Sequence, residues 1–314
     1  MLKPIIVFII AIVPAIIWLY LFLGKHRTNK WLVLFTFIGG MVVAKLILVY
    51  QGFWGETINL IFFKVDPVDF KANIYAIIGS KPVLALFLSF IGVGVIEEYG
   101  KFWIMKAINH NFFKSIDDVI ELAIISALGF AFLENIVYFS EKWGELSTGN
   151  YFAFAIMRVT IVTMVHMLCS GILGYYYGMA FFASPMLKIQ YMKKISHPII
   201  QFFKKILHLK RSRIYHDEMF VIGMLLSMVI HALYDFLLSI QASLFGIPMV
   251  IPIMFLYFFG GFWFLDKLLK KKDHNLKLGL VGTNVMPKED FVKLLDEIHA
   301  IKAKMESETN LSNG

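Results

Sequence analysis

Five charged residues and two histidines sit at helical spacing inside long apolar runs, and these are the residues of this 314-residue sequence that could do chemistry. In Ile96-Glu97-Glu98-Tyr99-Gly100-Lys101, the lysine follows the two glutamates by four and three residues, so all three share one helix face. In Phe130-Ala131-Phe132-Leu133-Glu134-Asn135, a carboxylate adjoins an amide. His166 stands four residues before Ser170, and His231 stands one turn before Asp235. Each ionised side chain at a bilayer centre costs about 2.5–3.5 kcal/mol on insertion scales, so such residues must face inward and find partners. A lone histidine in a helix is more often a hydrogen-bonded packing residue than a ligand. Two histidines and several carboxylates at similar depth in four apolar runs shift that balance toward a shared site.

Acidic and imidazole groups of this kind suit hydrolysis. A carboxylate withdrawn from water is a stronger base than one in bulk solvent and can activate a water molecule. Glu97 and Glu98 point about 100° apart on a helix, so one can face water while the other pairs with Lys101 or a metal. Asn135 and Lys101 are read as ion-pair and orienting residues. Glu134, His166 and His231, with Asp235 beside them, offer the nitrogen and oxygen donors of a Zn²⁺ site. Alternatively, the two histidines donate directly to an oxyanion while Asp235 orients His231. The His-Glu-x-x-His zinc signature is absent from the sequence. Lys45 is read as snorkelling or pairing locally. Arg158, about 10 Å from the outer end of its span, is read as snorkelling or as contacting a carboxylate or substrate. Cys169 excludes any intrachain disulfide, since it is the single cysteine. It reads as a packing residue, with a metal thiolate as the alternative.

The elements that must hold these groups are membrane helices. The chain is 59% hydrophobic and only 17% charged, with a mean hydropathy of +0.71, and a soluble fold of this size could not hide that much apolar surface. Seven apolar segments near 4–23, 31–50, 82–106, 117–139, 151–182, 219–243 and 248–265 predict an all-α polytopic transmembrane bundle of about seven spans. The fifth is longer than a bilayer needs and must tilt, protrude or break. Its Gly171, Gly174 and Gly178 suit close helix contact. Connections 24–30, 107–116, 183–218 and 266–314 hold 21 Lys and Arg, against 5 in the alternate set. This places the N-terminus outside and the C-terminus in the cytoplasm. The net charge of +8 then belongs to that bias and to anionic lipid headgroups rather than to nucleic acid.

The organisation expected is an N-terminal transmembrane hairpin (1–50), an external segment (51–81) with room for a short interfacial helix, a catalytic membrane domain (82–265), and a basic cytoplasmic tail (266–314). The loop 183–218 within the membrane domain reads either as a basic amphipathic helix on the membrane surface or as a solvated loop. In the tail, Pro287 followed by Glu289 and Asp290 opens a short amphipathic helix.

Taken in order, Glu97-Glu98 with Lys101, Phe130 with Glu134, His166, and His231 with Asp235 resemble the PrsW family of membrane-embedded proteases, distant relatives of the type II CAAX prenyl proteases. The resemblance covers about 80–240. It implies a multi-pass endopeptidase, usually classed as a metalloprotease, in a prokaryotic cytoplasmic membrane. It also implies a membrane-bound protein or peptide substrate, with first-site cleavage of an anti-sigma factor as the best-known function and CAAX-type peptide processing as a variant. An ion- or proton-coupled transporter would also place Asp, Glu and His near the midplane, but no internal repeat or paired broken helix supports it. A non-catalytic scaffold would leave the buried carboxylates unexplained.

Overall fold

A backbone buried in lipid must satisfy its own hydrogen bonds, so apolar sequence of this length folds as helices. The computed structural model describes residues 2–23, 29–52, 82–182, 211–239 and 250–261, with short pieces at 58–60, 63–65, 243–244, 247–248, 263–264 and 267. The helices are α1 (Leu2–Leu23), α2 (Lys30–Gly52), α3 (Pro82–Asn109), α4 (Ile116–Lys142), α5 (Thr148–Met157), α6 (Thr163–Phe181), α7 (Arg211–Ser239) and α8 (Val250–Phe255). A π turn at Arg158–Val162 joins α5 to α6, and another at Leu256–Gly260 extends α8. Two small antiparallel hairpins, Ile58–Leu60 with Phe63–Val65 and Ser243–Leu244 with Ile247–Pro248, lie in connections.

Among the described residues, five helical stretches are long and apolar enough to cross a membrane: Lys3–Tyr20, Lys30–Val49, Ile116–Lys142, Thr148–Phe181 and Ser212–Ser239. Helix α3 is as long as these, 28 residues, but Glu97, Glu98 and Lys101 interrupt its apolar run. With α3 and α8, the chain is an all-helical multi-pass membrane protein of about seven spans. Outward faces of α1, α2 and α7 expose Ile9, Ile16, Phe35, Leu46, Leu225 and Val229, a surface suited to lipid. Lys45 lies on the exposed face of α2.

Most boundaries fall within three residues of the hydropathy reading. Helix α7 is the exception, starting at Arg211 rather than 219. Its first turns are polar, but Ile214 and Tyr215 within them are buried against the core, which hydropathy alone does not register. The long fifth span breaks at the π turn. Most of 51–81, residues 183–210 and the tail from 268, including the helix expected at Pro287, lie outside the described residues.

Helix α4 is the axis of the bundle. Its N-terminus is fixed by a capping box: Ser115 Oγ accepts from the Asp118 N–H, and Asp118 Oδ2 accepts from the Ser115 N–H. From Val119 to Phe132 the helix is buried without interruption. Glycines let its neighbours approach. A Cβ on Gly129 would overlap the backbone of Phe37 in α2, and one on Gly40 would overlap the carbonyl of Ser126 in α4. Gly174 and Gly178 seat α6 on Ile120 and Ile116. Gly94 brings α3 against α7, where an added Cβ would lie 2.9 Å from the Met228 carbonyl and 3.7 Å from the His231 Cβ.

At Gly129 and Gly40 the contacts are backbone against backbone, so no rotamer change can relieve them. Gly129→Ala is expected to destabilise the protein by about 1–3 kcal/mol. Gly92→Ala, which meets no atom within 4 Å, is expected to be neutral. Unfolding titrations in mixed micelles will compare the two.

Candidate active site

The Gly94 crossing places Glu97 and Glu98 of α3 directly opposite His231 of α7. Glu98 is fully enclosed, and all of its acceptor capacity is used. Its Oε1 accepts from Lys101 Nζ at 2.5 Å and from His231 Nδ1 at 2.8 Å. Its Oε2 accepts from Ser170 Oγ at 3.2 Å and Ser227 Oγ at 3.1 Å. Helices α3, α6 and α7 therefore all anchor on one carboxylate.

Glu97, its neighbour, is in the opposite situation. Its Oε2 is buried without a hydrogen-bond partner, 3.9 Å from Lys101 Nζ and 3.6 Å from His231 Nε2. Since Nδ1 of His231 is taken by Glu98, Nε2 faces two carboxylate oxygens, Glu97 Oε2 and Asp235 Oδ2 at 3.5 Å. Negative oxygens gathered about one ring nitrogen require a proton or a cation between them.

His166 lies next to this pocket, its ring 5.0 Å from that of His231 and nearly perpendicular to it. Lys101 Nζ, 3.0 Å away, can only donate, so His166 Nδ1 accepts and Nε2 carries the proton toward Glu134 Oε2 at 3.0 Å. The Lys101 ammonium also rests over the Phe130 ring at 4.5 Å. Glu134 forms an ion pair with Arg158 Nη2 at 3.1 Å. Arg158 Nε donates to Asn135 Oδ1 at 3.0 Å, and Asn135 Nδ2 donates to Thr163 Oγ1 at 3.3 Å. The guanidinium stacks on Tyr138 at 3.8 Å.

The π turn makes this second network possible. Eight residues along an ideal α-helix leave Arg158 and His166 about 80° apart. The π turn absorbs one residue and cuts the difference to about 20°, so both side chains reach the same Glu134 oxygen.

The structure thus brings together Glu97, Glu98, Lys101, Glu134, Asn135, His166, His231 and Asp235, all eight residues picked out from the sequence. It adds Ser170, Ser227, Arg158 and Tyr138. The serines carried a legible signal, since each lies four residues from a site histidine. Arg158 was visible as an ionisable residue in a span, but its aim depends on a π turn with no sequence signature.

Two donor sets are close enough to share a metal ion. One atom each from Glu97, His166 and His231 lie within 4.8 Å of one another, as do one each from Glu98, Cys169 and His231. The first set fits better. It contains the orphaned Glu97 oxygen, the free His231 Nε2 and a His-His-carboxylate donor chemistry suited to zinc. His166 joins it by exchanging one of its two partners. In the second set Glu98 has no free lone pair, and the Lys101 ammonium occupies the approach. Glu134 lies one hydrogen bond behind His166, where the expectation from sequence had it as a ligand. Side-chain exposure rises from 0% at Glu98 through 14% at Glu134 to 28% at Asp235, so the site opens toward the end of α7 that carries Asp235.

Carboxylates and imidazoles from four membrane helices, converging on a partly exposed cluster, define a polytopic membrane protein with hydrolase-type chemistry. The family of PrsW intramembrane metalloproteases matches residues 28–196, just over half of the chain, and the protein belongs to that family. It is therefore a membrane peptidase acting on a membrane protein or peptide. His231 and Asp235 lie beyond the matched region, but the fold returns them to Glu97 and Glu98. No curated protein and no solved structure matches the chain.

Breaking one side of a buried ion pair strands the other, at a cost of about 3–5 kcal/mol. Lys101→Met is expected to lose stability on that scale, while Lys101→Met with Glu98→Gln recovers much of it. Unfolding of the three proteins in micelles reads the difference.

Proposed function

We propose that this protein hydrolyses a peptide bond near the membrane surface, with Glu97 as general base. The observation that carries this reading is the contrast between the two adjacent glutamates. Glu98 is saturated by four donors, whereas Glu97 Oε2 is buried, unpartnered and beside His231 Nε2. In this mechanism Glu97 takes a proton from the attacking water on one carboxylate oxygen and returns it to the departing amine. Glu98 holds His231 through Nδ1, which keeps Nε2 directed into the pocket. Asp235 Oδ2 lies 3.5 Å from that nitrogen on the open side. Lys101 keeps Glu98 charged and fixes the His166 tautomer, so that the Nε2–H of His166 is held by Glu134. Glu97, His166 and His231 would hold a metal, zinc by donor type: Glu97 would bind through one carboxylate oxygen and act as base through the other, and His166 would exchange its Lys101 contact for the ion. When bound, such an ion supplies Lewis-acid polarisation of the scissile carbonyl and a more acidic water.

The basic connections support a C-terminus on the cytoplasmic side of a prokaryotic inner membrane and an N-terminus outside, with the basic loop 183–218 against anionic headgroups. In that orientation the open end of the site faces outward. This supports cleavage of a substrate close to its extracytoplasmic boundary, as first-site cleavage of a membrane-bound anti-sigma factor would require.

Three measurements test the proposal, using purified protein and, for turnover, a panel of fluorogenic single-span peptides in proteoliposomes. Glu97→Gln is expected to lower turnover by roughly 10²–10⁴-fold with little change in unfolding midpoint. Full turnover in this variant would remove Glu97 from the chemistry. Chelation with 1,10-phenanthroline is expected to abolish cleavage, and stoichiometric Zn²⁺ to restore it. His231→Gln is expected to weaken Zn²⁺ binding by at least about tenfold, measured by calorimetry. Cleavage indifferent to chelator would refute the metal assignment.

A further inference from the structure

Helix α1 lies outside the region matched to the family, yet it contacts the backbone segment that aims Arg158. Val7, Ala11, Ala15 and Trp18 form its buried stripe, and the first three pack against Phe132, Phe139, Tyr151, Ala155 and Val159 of α4, α5 and the π turn. The small residues Ala11 and Ala15 let the helix sit close. One turn further on, the buried Trp18 donates its indole Nε1–H to the carbonyl of Val159 at 3.2 Å. Val159 follows Arg158 inside the π turn, where Thr163 N–H already reaches back five residues to the Arg158 carbonyl. Thr163 Oγ1 donates to that carbonyl as well, at 3.1 Å, and accepts from Asn135.

A π turn is a local departure from the α-helical ladder, and it persists only where surrounding contacts hold it. Here the contacts come from two directions. Thr163 and Asn135 hold the inner side, and Trp18 holds the Val159 carbonyl. The consequence runs in a short chain: Val159 and Arg158 are consecutive, Arg158 binds Glu134, and Glu134 accepts from His166 Nε2.

We propose that Trp18 is a positioning residue for the active site. Its indole N–H pins the π turn, keeps the Arg158 guanidinium on Glu134, and through Glu134 sets the ring of His166. The first helix is then a working part of the catalytic apparatus rather than only a membrane anchor. The idea rests on the proposed role of the His166 pocket, and it makes a claim about geometry that is separable from turnover.

The experiment uses the full chain in micelles, selectively ¹⁵N-labelled at histidine, with the His166 ring signals assigned by their loss in His166→Gln. Trp18→Phe removes the donor and keeps most of the apolar ring. It is expected to shift the His166 Nε2 resonance in the same direction as Arg158→Gln, and to lower peptide turnover by about 3–10-fold. In the Trp18→Phe/Arg158→Gln double variant, turnover is expected to match Arg158→Gln alone within about twofold, the non-additivity of residues acting through one path. Arg158→Lys, which keeps a cation for Glu134, is expected to recover part of both signals. Ile16→Ala changes the exposed face of the same helix, away from the buried stripe that bears Trp18, and is expected to leave His166 unchanged.

An unmoved His166 signal in Trp18→Phe would overturn the proposal. So would equal shifts in Ile16→Ala, or additive losses in the double variant. Should Trp18→Phe fail to fold, Arg158→Gln read against Arg158→Lys decides the step from Arg158 to His166, and an unmoved His166 in Arg158→Gln overturns the proposal there. A wild-type protein that cuts no peptide while Trp18→Phe still shifts His166 would count against the proposed activity and leave the positioning role standing.

Discussion

The arrangement of this protein follows from one constraint, the cost of placing ionised side chains where lipid excludes water. Four carboxylates (Glu97, Glu98, Glu134 and Asp235) share the interior with two permanent cations, Lys101 and Arg158. Each cation is placed to serve more than one partner. Lys101 binds Glu98, reaches Glu97, donates to His166 and rests on Phe130. Arg158 binds Glu134 and Asn135 while stacked on Tyr138. Two positive charges do not balance four negative ones. The deficit collects around Glu97 and Asp235, beside the open nitrogen of His231. A divalent ion or protons must make up the difference, and the family's classification as metalloproteases agrees with the first.

Such a cluster can exist only if the helices that carry it come very close. Carboxylate, imidazole and hydroxyl side chains are short, and four helices must reach one point with them. Glycine supplies the necessary approach at Gly94 between α3 and α7, at Gly174 between α4 and α6, and at the Gly40–Gly129 crossing of α2 with α4. In lipid there is no hydrophobic drive to press helices together, so close backbone packing and interhelical hydrogen bonds take over that work. The Glu98 anchor does both. Its four donors come from three helices, so it is as much a tie in the bundle as a part of the site.

How much of this the sequence revealed depends on the length scale of the signal. Membrane helices were legible because about twenty apolar residues are needed for each crossing, and the site residues were legible because charge is so costly there. Their convergence could be argued from similar depth along each span. Three things were not accessible in that way. The polar start of α7 hides a buried Tyr215 that hydropathy scores poorly. The π turn depends on one extra residue in a helix, which changes no composition. The assignment of tasks to Glu97 and Glu98 depends on which face of α3 meets α7, and that is fixed by Gly94 rather than by either glutamate.

That last point shows how two identical side chains acquire opposite characters. Adjacent positions on a helix point about 100° apart, so a rigid α3 cannot give both glutamates the same surroundings. Once Gly94 seats α3 on α7, the face bearing Glu98 turns toward Ser170, Ser227 and His231 Nδ1, and the carboxylate is fully bonded. The face bearing Glu97 then meets the far edge of the same imidazole, the neighbouring His166 and the distant reach of Lys101. A fully bonded carboxylate is a poor base, because taking a proton would cost it existing hydrogen bonds. An unpartnered one has nothing to lose. In the proposed mechanism the pair is a single device, in which Glu98 holds the histidine in place so that Glu97 can act beside it.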